Sequence, residues 1–181
     1  MAEAAGSTVP DVIGPGLAVL FCGINPGLYS GAVGHHFARP GNRFWKALFL
    51  AGFTDRELSP FEEHLLVAAG AGITNLVARA TATAAEIGPA ELRDGAARLA
   101  RTVRRFQPAM VAFCGMGAYR TAFGRPRAQL GWQPEAIGGA GIWLVPNPSG
   151  VQARYPLDAM VGELRTLRSA VHGRVGQRAE C

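Results

Sequence analysis

Four short, unbroken apolar runs constrain this chain most. They are residues 17–23 (LAVLFCG), 72–77 (GITNLV), 109–114 (AMVAFC) and 141–145 (GIWLV). Each is too short for a globular helix and lacks the polar alternation of a half-exposed strand, so each reads as a strand buried on both faces. Helical patterns separate them. Between Pro89 and Phe106, the residues Leu92, Ala96, Leu99, Val103 and Phe106 recur every three or four positions, with arginines on the opposite face. Asn42 reads as the N-cap of a helix to about Ala51, with Phe44, Trp45, Leu48 and Phe49 as its apolar face. Ser59, Pro60, Glu62 and Glu63 open another, to about Ala69. Residues 115–123 read as a turn and short helix, and 156–171 as a closing helix; residues 30–41 read as a glycine-rich loop. Strands alternating with helices predict an α/β fold, a three-layer αβα sandwich around a mainly parallel sheet of about four to five strands. Residues 1–16 read as a loose leader, 17–172 as one catalytic-sized domain, and 173–181 as a frayed tail.

In such folds ligands sit beyond the carboxyl ends of the strands. Two turn-rich segments fall there. Gly23-Ile24-Asn25-Pro26-Gly27 follows the first apolar run, and Asn147-Pro148-Ser149-Gly150 follows the last. The first is neither a dinucleotide fingerprint nor a phosphate-binding P-loop. It offers one side-chain amide stiffened by a proline, able to orient water, with glycines that let a flat ligand approach the backbone. A simple Asn-capped tight turn is the other reading of it.

Composition narrows the classes further. The chain has 181 residues, 49% of them hydrophobic, and no apolar run near the ~20 residues of a membrane span. The N-terminus lacks a secretory pattern, so a cytoplasmic, nucleoid-associated protein is expected, with no membrane partner. The three cysteines, Cys22, Cys114 and Cys181, are too scattered for a disulfide framework or zinc site. Cys22 and Cys114 read as buried strand residues. The adjacent His35 and His36 lack further ligands at metal spacing, so neither metal nor cofactor is expected. The net charge is +5, and Lys46 is the only lysine, so the positive charge is almost all arginine, the side chain best shaped for phosphate.

The motifs GINPG, HFARPGNRFWKALFLAGF, GITNLVARATATAAEI and NPSG, in that order, resemble the mismatch-specific branch of the uracil-DNA glycosylase superfamily. The resemblance covers roughly residues 17–167 and implies a parallel sheet between helices. It also implies a monofunctional enzyme that hydrolyses the N-glycosidic bond of uracil in mismatched duplex DNA, acting as a monomer. By resemblance, Asn25 positions the attacking water and Phe37 stacks on the extruded base. Backbone groups around Ile24 and Gly27 bind the base edge, with Ser30 nearby and Asn147 facing the base. Ser149, Gly150 and Val151 form the wedge that enters the helix, with Gln152 and Arg154 as DNA contacts. Arg39, Arg43 and Lys46 are further phosphate candidates, core bracing being an equal reading for Arg43.

The resemblance also carries specificity. The strictly uracil-specific branch has a carboxylate where this chain has Asn25, a tyrosine at Gly27 and a histidine at Asn147. An amide orients water but takes no proton. The open position at Gly27 implies tolerance of thymine or other 5-substituted pyrimidines. Glu86, Glu91 and Asp94 are candidates for a missing water-activating group, or else solvated helix charges. Arg154 stands one residue later after the wedge than in the family pattern. The rival reading is a mismatch- or abasic-site-binding module without catalysis. A serine hydrolase is excluded by the absence of a G-x-S-x-G elbow.

Overall fold

A computed structural model describes residues 4–149 and 155–179, with backbone alone from 172 onward. Five strands form one sheet in the order β2-β1-β3-β5-β4. They are β1 (Val19–Gly23), β2 (Ala71–Asn75), β3 (Met110–Cys114), β4 (Gly131–Ile137) and β5 (Ala140–Val145). The pairs β1·β2, β1·β3 and β3·β5 are parallel; β4 runs antiparallel to β5 at the edge.

The period of two along each strand builds two cores. Val19 and Phe21, Met110 and Ala112, and Trp143 and Val145 face one side. There they meet α2 (Phe44–Leu50), a 3₁₀ turn (Pro60–Leu66) and α5 (Leu157–Ala179). Leu20 and Cys22, Val111 and Phe113, and Ile142 and Leu144 face the other side, against α3 (Pro89–Phe106) and α4 (Met116–Phe123). The three-layer αβα sandwich expected from the apolar runs is therefore the fold observed. Burial of residues such as Phe21 and Leu20, both 0% exposed, is worth ~1.5–3 kcal/mol each before entropy is counted. Cys22 and Cys114 are free and buried as expected, and burial pushes the Cys114 thiol up to about 12.

The structure differs from the sequence reading in six places. β4 went unseen because its run, GWQPEAI, is polar and holds Pro134. It alternates in burial, as an edge strand does, and Pro134 falls where the register breaks between Gln133 and Ala136. Residues 30–41 are not all loop, since α1 (Leu28–Val33) ends in the left-handed Gly34. Six residues are too few to show a helical period. The helix expected over 59–69 is a 3₁₀ turn, opened by the expected Ser59 and Glu62 capping box. Asn42 lies one residue outside the N-cap of α2, but its Oδ1 still accepts from the Phe44 N–H at 3.0 Å.

The termini also differ. The backbone of α5 stays helical to Ala179, past the expected fraying point. Residues 4–16 are not a loose leader: Ala4 and Val9 are buried, Val12 bridges Ile73, and Thr8 bridges Arg79. Val12 and Ile73 exchange both backbone hydrogen bonds at 2.9 and 2.8 Å.

Gly95 shows how closely α3 seats on the sheet. A Cβ there would lie 2.2 Å from the Leu76 carbonyl oxygen. Elsewhere in a helix, alanine would gain ~1 kcal/mol over glycine. Here the helix must move instead, and Gly95→Ala should cost about 1–3 kcal/mol. The check is a lower urea midpoint in equilibrium unfolding; a raised midpoint would show that propensity prevails over packing.

Candidate active site

Beyond the carboxyl ends of β1, β2, β3 and β5 lies a cavity of about 210 Å³, room for a single flat ring. Asn25 sits in its wall. Its Nδ2 donates to Thr81 Oγ1 at 2.7 Å, to the Pro26 carbonyl at 3.0 Å and to the Arg79 carbonyl at 3.1 Å. Two backbone carbonyls cannot donate, so the amide orientation is fixed. The Thr81 hydroxyl donates to the Thr83 carbonyl at 2.8 Å and presents lone pairs to Asn25. Oδ1 is thereby the group left to accept from a molecule in the cavity.

Backbone pairing sets this arrangement. The chain leaving β2 runs beside the chain leaving β1: Leu76 donates to Gly23, Val77 to Ile24 and Thr81 to Pro26, at 2.8, 2.8 and 3.1 Å. On its far side Ala80 donates to Ser7 at 2.8 Å, and Gly6 donates to Ala80 at 3.0 Å. Outside these, Glu91 holds the Arg79 guanidinium at 2.7 and 2.8 Å.

The other expected residues fall as follows. Ile24, Gly27, Ser30, Phe37, Asn147 and Ser149 all line the cavity with Asn25. A Cβ at Gly27 would meet nothing within 4 Å, so its side of the cavity is open. Phe37 stacks on Phe44 of α2, centroids 4.1 Å apart and planes at 25°. Ser30 is buried, and its Oγ accepts from the Ala38 N–H at 3.1 Å. Asn147 Oδ1 accepts from the Ser149 N–H at 2.9 Å, which fixes that turn and leaves Nδ2 for other partners. Gly150, Val151, Gln152 and Arg154 lie outside the described residues.

No carboxylate is among the described residues lining the cavity. Glu86 accepts from the Thr83 N–H at 2.8 Å, Glu91 is spent on Arg79, and Asp94 is exposed on α3. Arg43 braces, donating to the carbonyls of Asn147 and Tyr155 at 3.3 and 2.5 Å. Arg39 lines the cavity, whereas Lys46 is exposed on α2 and does not.

Sequence reasoning missed Asn75, Thr81 and Glu63. Asn75 ends β2 at the cavity, only 6% exposed, with its side-chain amide making no hydrogen bond to a described residue. A lone asparagine inside GITNLV was the signal. Thr81 carried none beyond a turn composition. Glu63 was read as a first-turn helix charge. Instead its Oε2 accepts from the His36 N–H at 2.8 Å and faces His36 Nδ1 at 3.1 Å, while Oε1 faces His35 Nδ1 at 2.9 Å.

A family model described as the uracil DNA glycosylase superfamily matches residues 10–165. The chain belongs to that superfamily. A solved structure agrees in fold: the solution NMR structure of a “putative Uracil DNA glycosylase” from Methanosarcina acetivorans, at 16% identity and TM-score 0.60. That match covers 90% of this chain and 98% of the other. Membership implies a DNA glycosylase, a hydrolase of N-glycosyl bonds. No helix among the described residues is long and apolar enough to cross a membrane. In this glycosylase the cavity brings together the turns that follow β1 and β5.

Burial alone would raise the Glu63 carboxyl, but hydrogen bonds from the His36 ring and N–H and from His35 outweigh it and hold it below the usual range. A folded-state pKa below the unfolded one adds stability that is complete above the unfolded value and lost as pH falls through the folded value. Wild type should therefore melt above Glu63→Gln at pH 7, and the gap should close below about pH 4, under the ordinary glutamate pKa. Thermal unfolding across that range checks it; a gap still full at pH 3 contradicts it.

Proposed function

We propose that this chain is a monofunctional uracil-DNA glycosylase of the mismatch-specific kind. It acts as a monomer on duplex DNA carrying a mispaired or damaged pyrimidine, at the first step of base-excision repair. The observation that carries this reading is the locked Asn25 amide in a cavity open at Gly27, with no carboxylate among its described lining residues.

A base within the duplex must be flipped out first, at a cost of a few kcal/mol that is least for a mispaired base. Phe37 offers its free face as a platform, worth ~1–3 kcal/mol for a stacked base. Ser149, Gly150 and Val151 fill the space the base leaves, and Gln152 and Arg154 hold the DNA around it. Asn25 Oδ1 accepts a hydrogen bond from a water and directs its oxygen at the sugar C1′. As the bond breaks, positive charge grows on the sugar and negative charge on the leaving base. Backbone N–H groups near Ile24 and Gly27, with the Asn75 and Asn147 amides, face that negative charge; one such donor can be worth ~3 kcal/mol. With no carboxylate among the described lining residues, the water's proton passes to solvent or to the departing base anion after attack, and turnover is slow. With open space at Gly27, thymine and other 5-substituted pyrimidines also enter, and ease of pair opening contributes to selectivity. Lys46, the only lysine, is not among the residues lining the cavity, which supports a monofunctional enzyme without a lyase step.

The test uses end-labelled duplexes with U·G, U·A or T·G, plus single-stranded U, and alkali to reveal abasic sites. U·G should be cut fastest, and Asn25→Ala should lose at least ~100-fold in single-turnover rate, on the scale of a misplaced reacting group. Thr81→Val removes the shortest of the three ties on the Asn25 amide, loosening it without reversing it, and should lose about tenfold. No cleavage of any substrate, with retained mismatch binding, would make the chain a binding module. Equal rates on U·G and U·A would remove mismatch selectivity from the reading.

A further inference from the structure

Phe37 has φ 52°, a left-handed conformation that bulky residues rarely adopt. Such backbone persists only where its surroundings over-determine it. Here both flanking amides are tied by side chains. The His36 N–H donates to Glu63 Oε2 at 2.8 Å, and the Ala38 N–H donates to Ser30 Oγ at 3.1 Å. Glu63 also engages both preceding imidazoles. The His36 ring is 1% exposed and the Glu63 side chain 10%, so these bonds face little competition from water.

The carboxylate is itself a fixed point. Its 3₁₀ turn starts at the Ser59 and Glu62 capping box and ends at Leu66, which is 0% exposed in the core. Phe61 of the same turn meets the His35 ring edge-on at 4.9 Å. With φ relaxed to negative values, the Phe37 side chain would leave Phe44 and turn from the cavity.

We propose that Glu63 is a positioning residue that sets Phe37 as the stacking platform before the base arrives, with Ser30 as its counterpart on the other flank. The role is pre-organisation: the ordering cost falls on folding rather than on binding. This rests on the reading that Phe37 stacks on an extruded base.

A double-mutant cycle tests it, with single-turnover excision from a U·G duplex as readout. Phe37→Ala should slow excision between about 5- and 150-fold, the range of one lost base stack. Glu63→Gln keeps the shape but replaces one of the two accepting oxygens with a donor, so it can no longer accept from the His36 N–H and both imidazoles together. It should lose about tenfold alone, and less than about twofold once Phe37 is alanine. Equal losses in both backgrounds would overturn the proposal. If Glu63→Gln does not fold, Ser30→Ala runs the same cycle with the same expected pattern. A second readout needs no activity: the NMR backbone signals of Phe37 in DNA-free protein should leave the left-handed range in the Glu63→Gln or Ser30→Ala variant. Unmoved Phe37 signals would overturn the proposal even in a protein that excises nothing. Displaced signals in a protein whose wild type is inactive would uphold the positioning and sink the glycosylase reading instead.

Discussion

Asn25 shares two amide protons among three acceptors, and much of the molecule exists to keep those acceptors still. The Pro26 carbonyl is its own neighbour, but the Arg79 carbonyl and Thr81 hydroxyl arrive from more than fifty residues away. They stay in place because residues 79–81 are paired on both sides, with 26–27 and with 6–8. The Arg79 guanidinium adds a tie to Glu91 at the start of α3. Each hydrogen bond is worth only ~1 kcal/mol net. Their value lies in direction, since an amide turned end for end would offer the cavity donors where a water needs an acceptor. Residues 6–8, read from the sequence as part of a loose leader, form the outer rail of this arrangement.

The same economy explains what the cavity lacks. Three nearby carboxylates are already committed: Glu63 to the histidine pair, Glu91 to Arg79 and Glu86 to the 83–86 turn. Each holds a loop that lines or supports the cavity, and none is left to take a proton from water. On the proposed reading, the protein spends its acids on geometry. The chemistry then depends on stabilising charge as the bond breaks, which suits a base that leaves easily and a pocket with open space at Gly27.

How much of this was legible follows from which forces are local. β1, β2, β3 and β5 announced themselves because a strand buried on both faces must be apolar throughout, and α3 because one face must be apolar every three or four residues. β4 is half exposed at an edge, so its sequence carries little pattern. The cavity wall at Asn25, Gly27, Phe37 and Asn147 was readable from turns at strand ends and from family motifs. Thr81 and Glu63 were not, because their meaning is a hydrogen bond to a residue 56 or 27 positions away. Glu63 illustrates the limit: in a capped first turn a glutamate is ordinary, and only the path of the 34–37 loop brings it beneath two imidazoles.

Arg43 makes the corresponding point for the segment after β5. It was a candidate for phosphate, yet its side chain donates to the carbonyls of Asn147 and Tyr155, and its N–H donates to Pro148 at 3.1 Å. One residue at the head of α2 thus pins both flanks of residues 149–154. The next residue on the same helix, Phe44, lies under Phe37. α2 is seated in the core through Trp45, Ala47 and Leu48, all 5% exposed or less. A single helix seated in the core therefore holds the proposed stacking platform and the anchors of the proposed wedge in one frame.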